Sequence, residues 1–180
     1  MIHRRSLLGI AAAGVASQAF GRSMPGVITR PETADLMDSL AAIRIGLAGP
    51  RIRVLFSPGC EHSAILWKSI RPMMGRAVWA WVPYGGFDRN RRACAAALAL
   101  GGVEGLEAVL SGALSDGPDA GGMVRQDGII SQRLGRLLWE STNTAMATPT
   151  TVFMRKDGVY QAVRGSFDEG TAALMLAAAA

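Results

Sequence analysis

Four consecutive residues carry the chemistry this chain has to offer: Cys60-Glu61-His62-Ser63. A cysteine sulfur attacks disulfides as the thiolate, so what matters is whether its surroundings lower its pKa. The apolar run Ile52-Arg53-Val54-Leu55-Phe56 precedes the tetrapeptide, and a helix-like segment, Ala64 to Met74, follows it. Cys60 therefore falls where a strand ends and a helix begins. The unpaired N–H groups and the dipole of that helix favour an anion at its start. His62 lies in the first turn. Either its imidazole acts on the sulfur and lowers the pKa further, or it is a surface histidine pointing away. Glu61 suits a helix N-terminus but repels a neighbouring thiolate, which leaves its net sign open. Ser63 donates a hydrogen bond to the thiolate or caps the helix. It also stands where a dithiol redox site would place its second cysteine.

Other chemistries fit these residues poorly. The only other histidine, His3, lies in an N-terminal segment that reads as a removable leader. Cys60 and His62 without further ligands make a poor zinc site. A local Cys-x-His lacks the spatially separate base and orienting group of a cysteine protease. No cofactor and no metal is expected. The second cysteine, Cys94, sits in the alanine-rich Arg92-Ala93-Cys94-Ala95-Ala96-Ala97, where a buried, inert thiol is the default. Two cysteines could form one structural bridge. The strand-to-helix position of Cys60 argues instead for a reactive thiol.

The leader reading rests on a basic start, Met1 to Arg5, an apolar stretch from Leu7 to Phe20, and the small-x-small triplet Ser17-Gln18-Ala19. Arg4-Arg5 followed by Leu7-Leu8 resembles a twin-arginine export signal. An ordinary secretory signal with two arginines is the alternative. As a helix the stretch would span about 21 Å, short of the roughly 30 Å hydrocarbon core. Cleavage after Ala19 leaves about 160 residues, the size of one domain. The formal charge of +5 falls to +3 when Arg4 and Arg5 leave. Exported cysteines live where disulfides persist. The cluster Arg89-Asn90-Arg91-Arg92 either meets an acidic partner or forms a solvated helix face. Nothing resembles a nucleic-acid motif.

The remaining elements can be read from periodicity and punctuation. Residues 20–50 read as a lead-in plus a helix from Glu32 to Leu47, because Leu36, Leu40, Ile43 and Leu47 recur at helical spacing. Strands are expected over Ile52 to Phe56, Ala77 to Val82, Thr151 to Arg155 and Val159 to Val163. Lys156-Asp157-Gly158 forms a hairpin turn between the last two. Helices are expected over Phe87 to Leu100 and Val103 to Leu110. A loop over 111–122 follows, then a helix from Ile129 to Glu140 capped by Asp127. A final helix, Glu169 to Ala179, would start on a Ser166/Glu169 capping box. The tryptophans Trp79 and Trp81 share one face of their strand.

This order, with a strand-end cysteine and Thr148-Pro149 before a hairpin, resembles the thioredoxin-like fold: α/β, a central mixed sheet of about four strands, and a helical insertion over about residues 87–147. Phe56-Ser57-Pro58-Gly59-Cys60-Glu61-His62-Ser63 is similar to the active-site stretch of periplasmic disulfide isomerases of the DsbC/DsbG type. So are Arg71-Pro72, Thr148-Pro149 and Gln161-Ala162-Val163-Arg164-Gly165. The likeness covers roughly residues 32 to 177. It implies a thioredoxin-like domain over 51–180 and a cis Pro149 beside the sulfur. It also implies that Thr148 offers backbone groups to a bound substrate strand.

Two departures shape the functional reading. Only about 30 residues separate the leader from the first strand of that domain, too few for the dimerisation domain of that family, so a monomer is expected. Ser63 replaces a cysteine. Cys60 could still form a mixed disulfide, but release must come from a substrate thiol, a small thiol or a separate reductase. The expected activity is thiol–disulfide exchange in the periplasm, isomerase-like or reducing oxidised cysteines. Its partners would be cysteine-containing exported proteins and a thiol reductant or membrane redox partner. The alternative is a redox-inactive binding module, acting as a chaperone or as an assembly component of an envelope complex.

Overall fold

A computed structural model describes residues 26–114, 117 and 120–180. The leader of residues 1–19 lies outside the described residues.

Among the described residues six strands form one mixed sheet: β1 (Val27–Ile28), β2 (Ile43–Ile45), β3 (Arg51–Phe56), β4 (Val78–Pro83), β5 (Thr150–Met154) and β6 (Tyr160–Arg164). Their order is β1-β6-β5-β3-β4-β2. Only β3 and β4 run parallel; every other pair is antiparallel. The helices are α1 (Pro31–Asp38), α2 (Glu61–Ile70), α3 (Asp88–Leu100), α4 (Gly102–Leu110), α5 (Gly121–Ile129), α6 (Gly135–Thr142) and α7 (Glu169–Ala178).

Side-chain alternation divides the core between the two faces of the sheet. Ile52, Val54 and Phe56 of β3 and Trp79 and Trp81 of β4 point to one face, under α2 and α7 and against α3 and α4. Trp81 meets Phe56 and Trp67 edge to face, with centroids 5.7 and 5.8 Å apart. Leu55, Val82, Val152 and Ala162 point to the other face, under α1 and the helices around Leu134 and Leu138. Arg53 shares that second face. It is buried in the central strand because Asp38 takes its guanidinium in two hydrogen bonds, at 2.9 and 2.6 Å. Burial alone would raise the Asp38 pKa, but Arg53 and then Arg51 outweigh it and hold the carboxyl below its ordinary value.

Four expectations need correction. The helix expected over Glu32–Leu47 stops at Asp38, and Ile43–Ile45 is an edge strand paired with β4. Ile43 and Ile45 point into the core while Arg44 points out, a period of two that the helical spacing of leucines concealed. Leu47, assigned to the helical apolar stripe, is wholly exposed. The lead-in also supplies β1, so the sheet has six strands and not about four. Asp127 caps nothing. The chain is helical from Gly121 through Thr142, with a π-helical turn at Ile130–Leu134, and Asp127 is buried within it. The last helix is capped by Asp168, whose carboxylate accepts the Thr171 N–H at 2.7 Å; Ser166 turns elsewhere. Pro72 limits its helix: α2 gives way to a 3-10 helix at Arg71–Arg76.

Candidate functional site around Cys60

Sheet register brings the site together. β3 and β5 are antiparallel neighbours with Leu55 opposite Thr150. The residues leaving β3 therefore meet those entering β5. Ser57-Pro58-Gly59-Cys60 turns the chain, closed by the Cys60 N–H donating to the Ser57 carbonyl at 3.1 Å, and Cys60 becomes the N-cap of α2. From the opposite side come Thr148 and Pro149, joined by a cis peptide bond. The Cys60 thiol donates to the Thr148 carbonyl at 3.0 Å. Three contacts fix that loop: Gly165 N–H to the Pro149 carbonyl at 2.8 Å, Thr150 hydroxyl to the Ala147 carbonyl at 2.7 Å, and Arg164 to the Ala145 carbonyl at 2.6 Å.

The electrostatic balance at the sulfur has identifiable parts. Burial raises the thiol pKa and is the largest single influence. The Thr148 side chain, the backbone N–H and hydroxyl of Ser63, and the backbone N–H of His62 together outweigh it, and the pKa lies below its ordinary value. These are the N-terminal donors of α2 acting on an anion, as the junction predicts. Ser63 is fully buried under the turn, and its oxygen also accepts the Ser57 N–H at 3.4 Å. It is not the helix cap.

His62 reaches the sulfur's surroundings through its backbone only. Its ring nitrogen Nδ1 lies 3.2 Å from the Ser166 hydroxyl, on an exposed surface. The imidazole thus tethers α2 to the segment ahead of α7. Of the five residues singled out by sequence, Cys60, Ser63, Thr148 and Pro149 converge, while the His62 ring is engaged by Ser166.

The other thiol is separate. Cys94 is fully buried in α3; burial first and the Asp127 charge second push its pKa up to about 12. Both cysteines are free thiols. Among the described residues no group of histidine, cysteine and carboxylate side chains could hold a metal ion.

Sequence reasoning missed the network that braces one wall of the site. Asp127 accepts the N–H groups of Gly85 and Gly86, each at 2.9 Å, and Arg91 Nε at 2.7 Å. Its neighbour Gln126 bonds Ala41 N–H at 2.9 Å and the Pro83 carbonyl at 3.0 Å. Two adjacent side chains thereby pin the insertion to the end of β4. Gly85 is required there: a Cβ would lie 2.6 Å from Arg91 Cγ and 3.0 Å from its backbone. Asn90, in the first turn of α3, would sit 3.3 Å from a Cβ on Gly59, so α3 abuts the cysteine turn. No local sequence signal marks Asp127, because its partners are 36 to 42 residues away.

The fold is thioredoxin-like. A periplasmic thioredoxin-like protein from Salmonella enterica serovar Typhimurium superposes with a TM-score of 0.55 at 12% identity, over 82% of this chain and 95% of that one. Two variants of alpha-DsbA1 from Wolbachia pipientis each give 0.51, at 11% and 12% identity, over 81% of this chain and 94% of theirs. No protein-family profile matches the chain, and no curated protein matches it by sequence. None of the described helices is long and apolar enough to cross a membrane.

Proposed function

We propose that this chain is an exported monothiol protein that performs thiol–disulfide exchange through Cys60. The observation that carries the reading is the placement of the thiol. Cys60 is the N-cap residue of α2, and its thiol lies against the backbone of Thr148 beside cis Pro149, among donors that favour the thiolate. The thiolate attacks one sulfur of a substrate disulfide. A Cys60–substrate bond forms, the substrate bond breaks, and the departing sulfur leaves as a thiolate that takes up a proton. Electron count is conserved across the exchange.

Ser63 has no thiol to reverse that bond, and Cys94 is buried and protonated. The mixed disulfide is therefore resolved from outside, by a second substrate thiol in an isomerase-like cycle of the DsbC/DsbG kind, or by a reductant. The substrates are cysteine-containing proteins of the periplasm. Support for that compartment comes from the twin-arginine-like leader and from the periplasmic Salmonella protein that shares the fold. The chain acts as a monomer.

The test is single-turnover reaction with 2,2′-dithiodipyridine. Wild type is expected to release one thiopyridone and stop at the mixed disulfide, whereas Ser63→Cys releases a second as its own disulfide closes. Failure of wild type to react at neutral pH refutes the exchange reading and leaves a redox-inactive binding module in its place.

A further inference from the structure

A groove of about 580 Å³ runs beside α2, lined by Ala64, Trp67, Lys68 and Arg71 on one side and Glu107, Ala108, Leu110 and Ser111 on the other. Its size suits a ligand of several heavy groups. Ala64, Trp67 and Lys68 of α2 and Arg71 just past its end lie four, seven, eight and eleven positions after Cys60, which is the spacing of one helix face. The groove therefore begins at Ala64, one turn beyond Cys60, and follows the helix face on which the cysteine lies. At ~1.5 Å per residue, Cys60 to Arg71 spans about 16 Å, the length of about five residues of extended chain. Its floor is apolar, with Trp67, Leu110 and two alanines. The charges are unequally placed. Arg71 and Glu107 pair at 2.9 Å and close the far end. Lys68, midway, has no ion-pair partner among the described residues and is exposed.

We propose that this groove seats the extended polypeptide segment flanking the reacting cysteine of the substrate, with an apolar side chain against Trp67 and Leu110 and an acidic side chain opposite Lys68. This rests on the exchange reading above and adds the substrate class: unfolded or extended segments carrying an apolar and an acidic residue within about five positions of the cysteine. Charge selects the occupant, because Arg71 and Glu107 offset each other and the charge left without an ion-pair partner among the described residues is a cation. Covalent chemistry is unchanged: Cys60 forms the new disulfide and the substrate's former partner sulfur departs.

The test uses the peptides Glu-Leu-Ala-Cys-Ala-Leu-Glu and Lys-Leu-Ala-Cys-Ala-Leu-Lys, each activated as the mixed disulfide with thiopyridine. The flanks are symmetric, so either direction of the chain presents the same charge. Thiopyridone release is followed with each peptide and with 2,2′-dithiodipyridine alone. The glutamate peptide is expected to react about threefold faster than the lysine peptide, and Lys68→Glu to reverse that order. Ala108→Trp, which fills the trough, is expected to slow both peptides about tenfold and leave the small disulfide unchanged. Equal rates for the two peptides that Lys68→Glu does not alter would overturn the groove assignment. Should Ala108→Trp not fold, Lys68→Glu alone decides, since its side chain is exposed. A wild type inert to the small disulfide would overturn the exchange reading and the groove with it.

Discussion

Replacing Ser63 by alanine isolates what holds the Cys60 thiolate. The hydroxyl is fully buried and is one of the groups that lower the thiol pKa. A hydrogen bond to a charged group is worth ~1.5–3 kcal/mol. The sulfur itself is half-exposed, and solvent screens the interaction, so the lower end applies. About 1.4 kcal/mol corresponds to about a tenfold smaller thiolate fraction at a pH below the thiol pKa. The assay is iodoacetamide alkylation of Cys60 as a function of pH, with the modified site located by mass spectrometry. Cys94 does not interfere, because it is fully buried and protonated up to about pH 12. Ser63→Ala should move the midpoint upward and cut the neutral-pH rate about tenfold. His62→Ala should leave the midpoint in place, because the ring is engaged with Ser166 and only the backbone N–H reaches the sulfur's surroundings. A midpoint unmoved in Ser63→Ala but shifted in His62→Ala would refute this account and return the imidazole to the central role.

Three further outcomes follow from the same structure. A thiol whose folded pKa is depressed adds stability that is present above the unfolded pKa and is lost as pH falls through the folded one. Urea melts should therefore show wild type gaining on Cys60→Ser as pH rises through the thiol range, and a pH-independent gap would contradict the lowered pKa. Cys94 has the opposite sign. Its raised pKa favours the folded state below the unfolded thiol value of about 8.5, and that advantage is lost as pH climbs toward about 12. Cys94→Ala should flatten the alkaline limb of the stability curve, and an unchanged limb would count against burial of a neutral thiol. Asp127→Ala leaves the Gly85 and Gly86 N–H groups without their acceptor, a loss of about 3 kcal/mol that lowers Tm by about 6–12 °C in a chain of this size. A Tm within about 2 °C of wild type would show that water replaces the carboxylate.

Local chemistry decided much of what could be read directly. The strand-to-helix junction at Cys60 depends on an apolar run, a Pro-Gly turn and a helix start within a few residues, all written contiguously. The hairpin at Asp157-Gly158 is equally local: Gly158 has φ of +81°, and its N–H closes onto the Arg155 carbonyl at 2.9 Å. The inert character of Cys94 follows from its alanine-rich helix. The shared face of Trp79 and Trp81 follows from the pleat alone.

What tertiary structure alone decided are the matters that depend on partners distant in sequence. Ile43–Ile45 has leucine spacing that suits a helix, yet β4 offers an open edge whose backbone groups these residues satisfy. Asp127 is followed by an apolar run and reads as a cap, but two glycine N–H groups and an arginine about forty residues earlier draw it inside. The tetrapeptide left the roles of His62 and Ser63 open, because a side chain's direction depends on what stands opposite. Ser166 takes the imidazole, and the buried turn keeps Ser63 beneath the sulfur. The sequence by itself thus determined that a cysteine begins a helix and that Thr148-Pro149 introduces a strand. Only the antiparallel register of β3 and β5 decided that the two meet at 3.0 Å, because hydrogen-bonded neighbours in a sheet bring together chain ends that contiguous residues cannot specify.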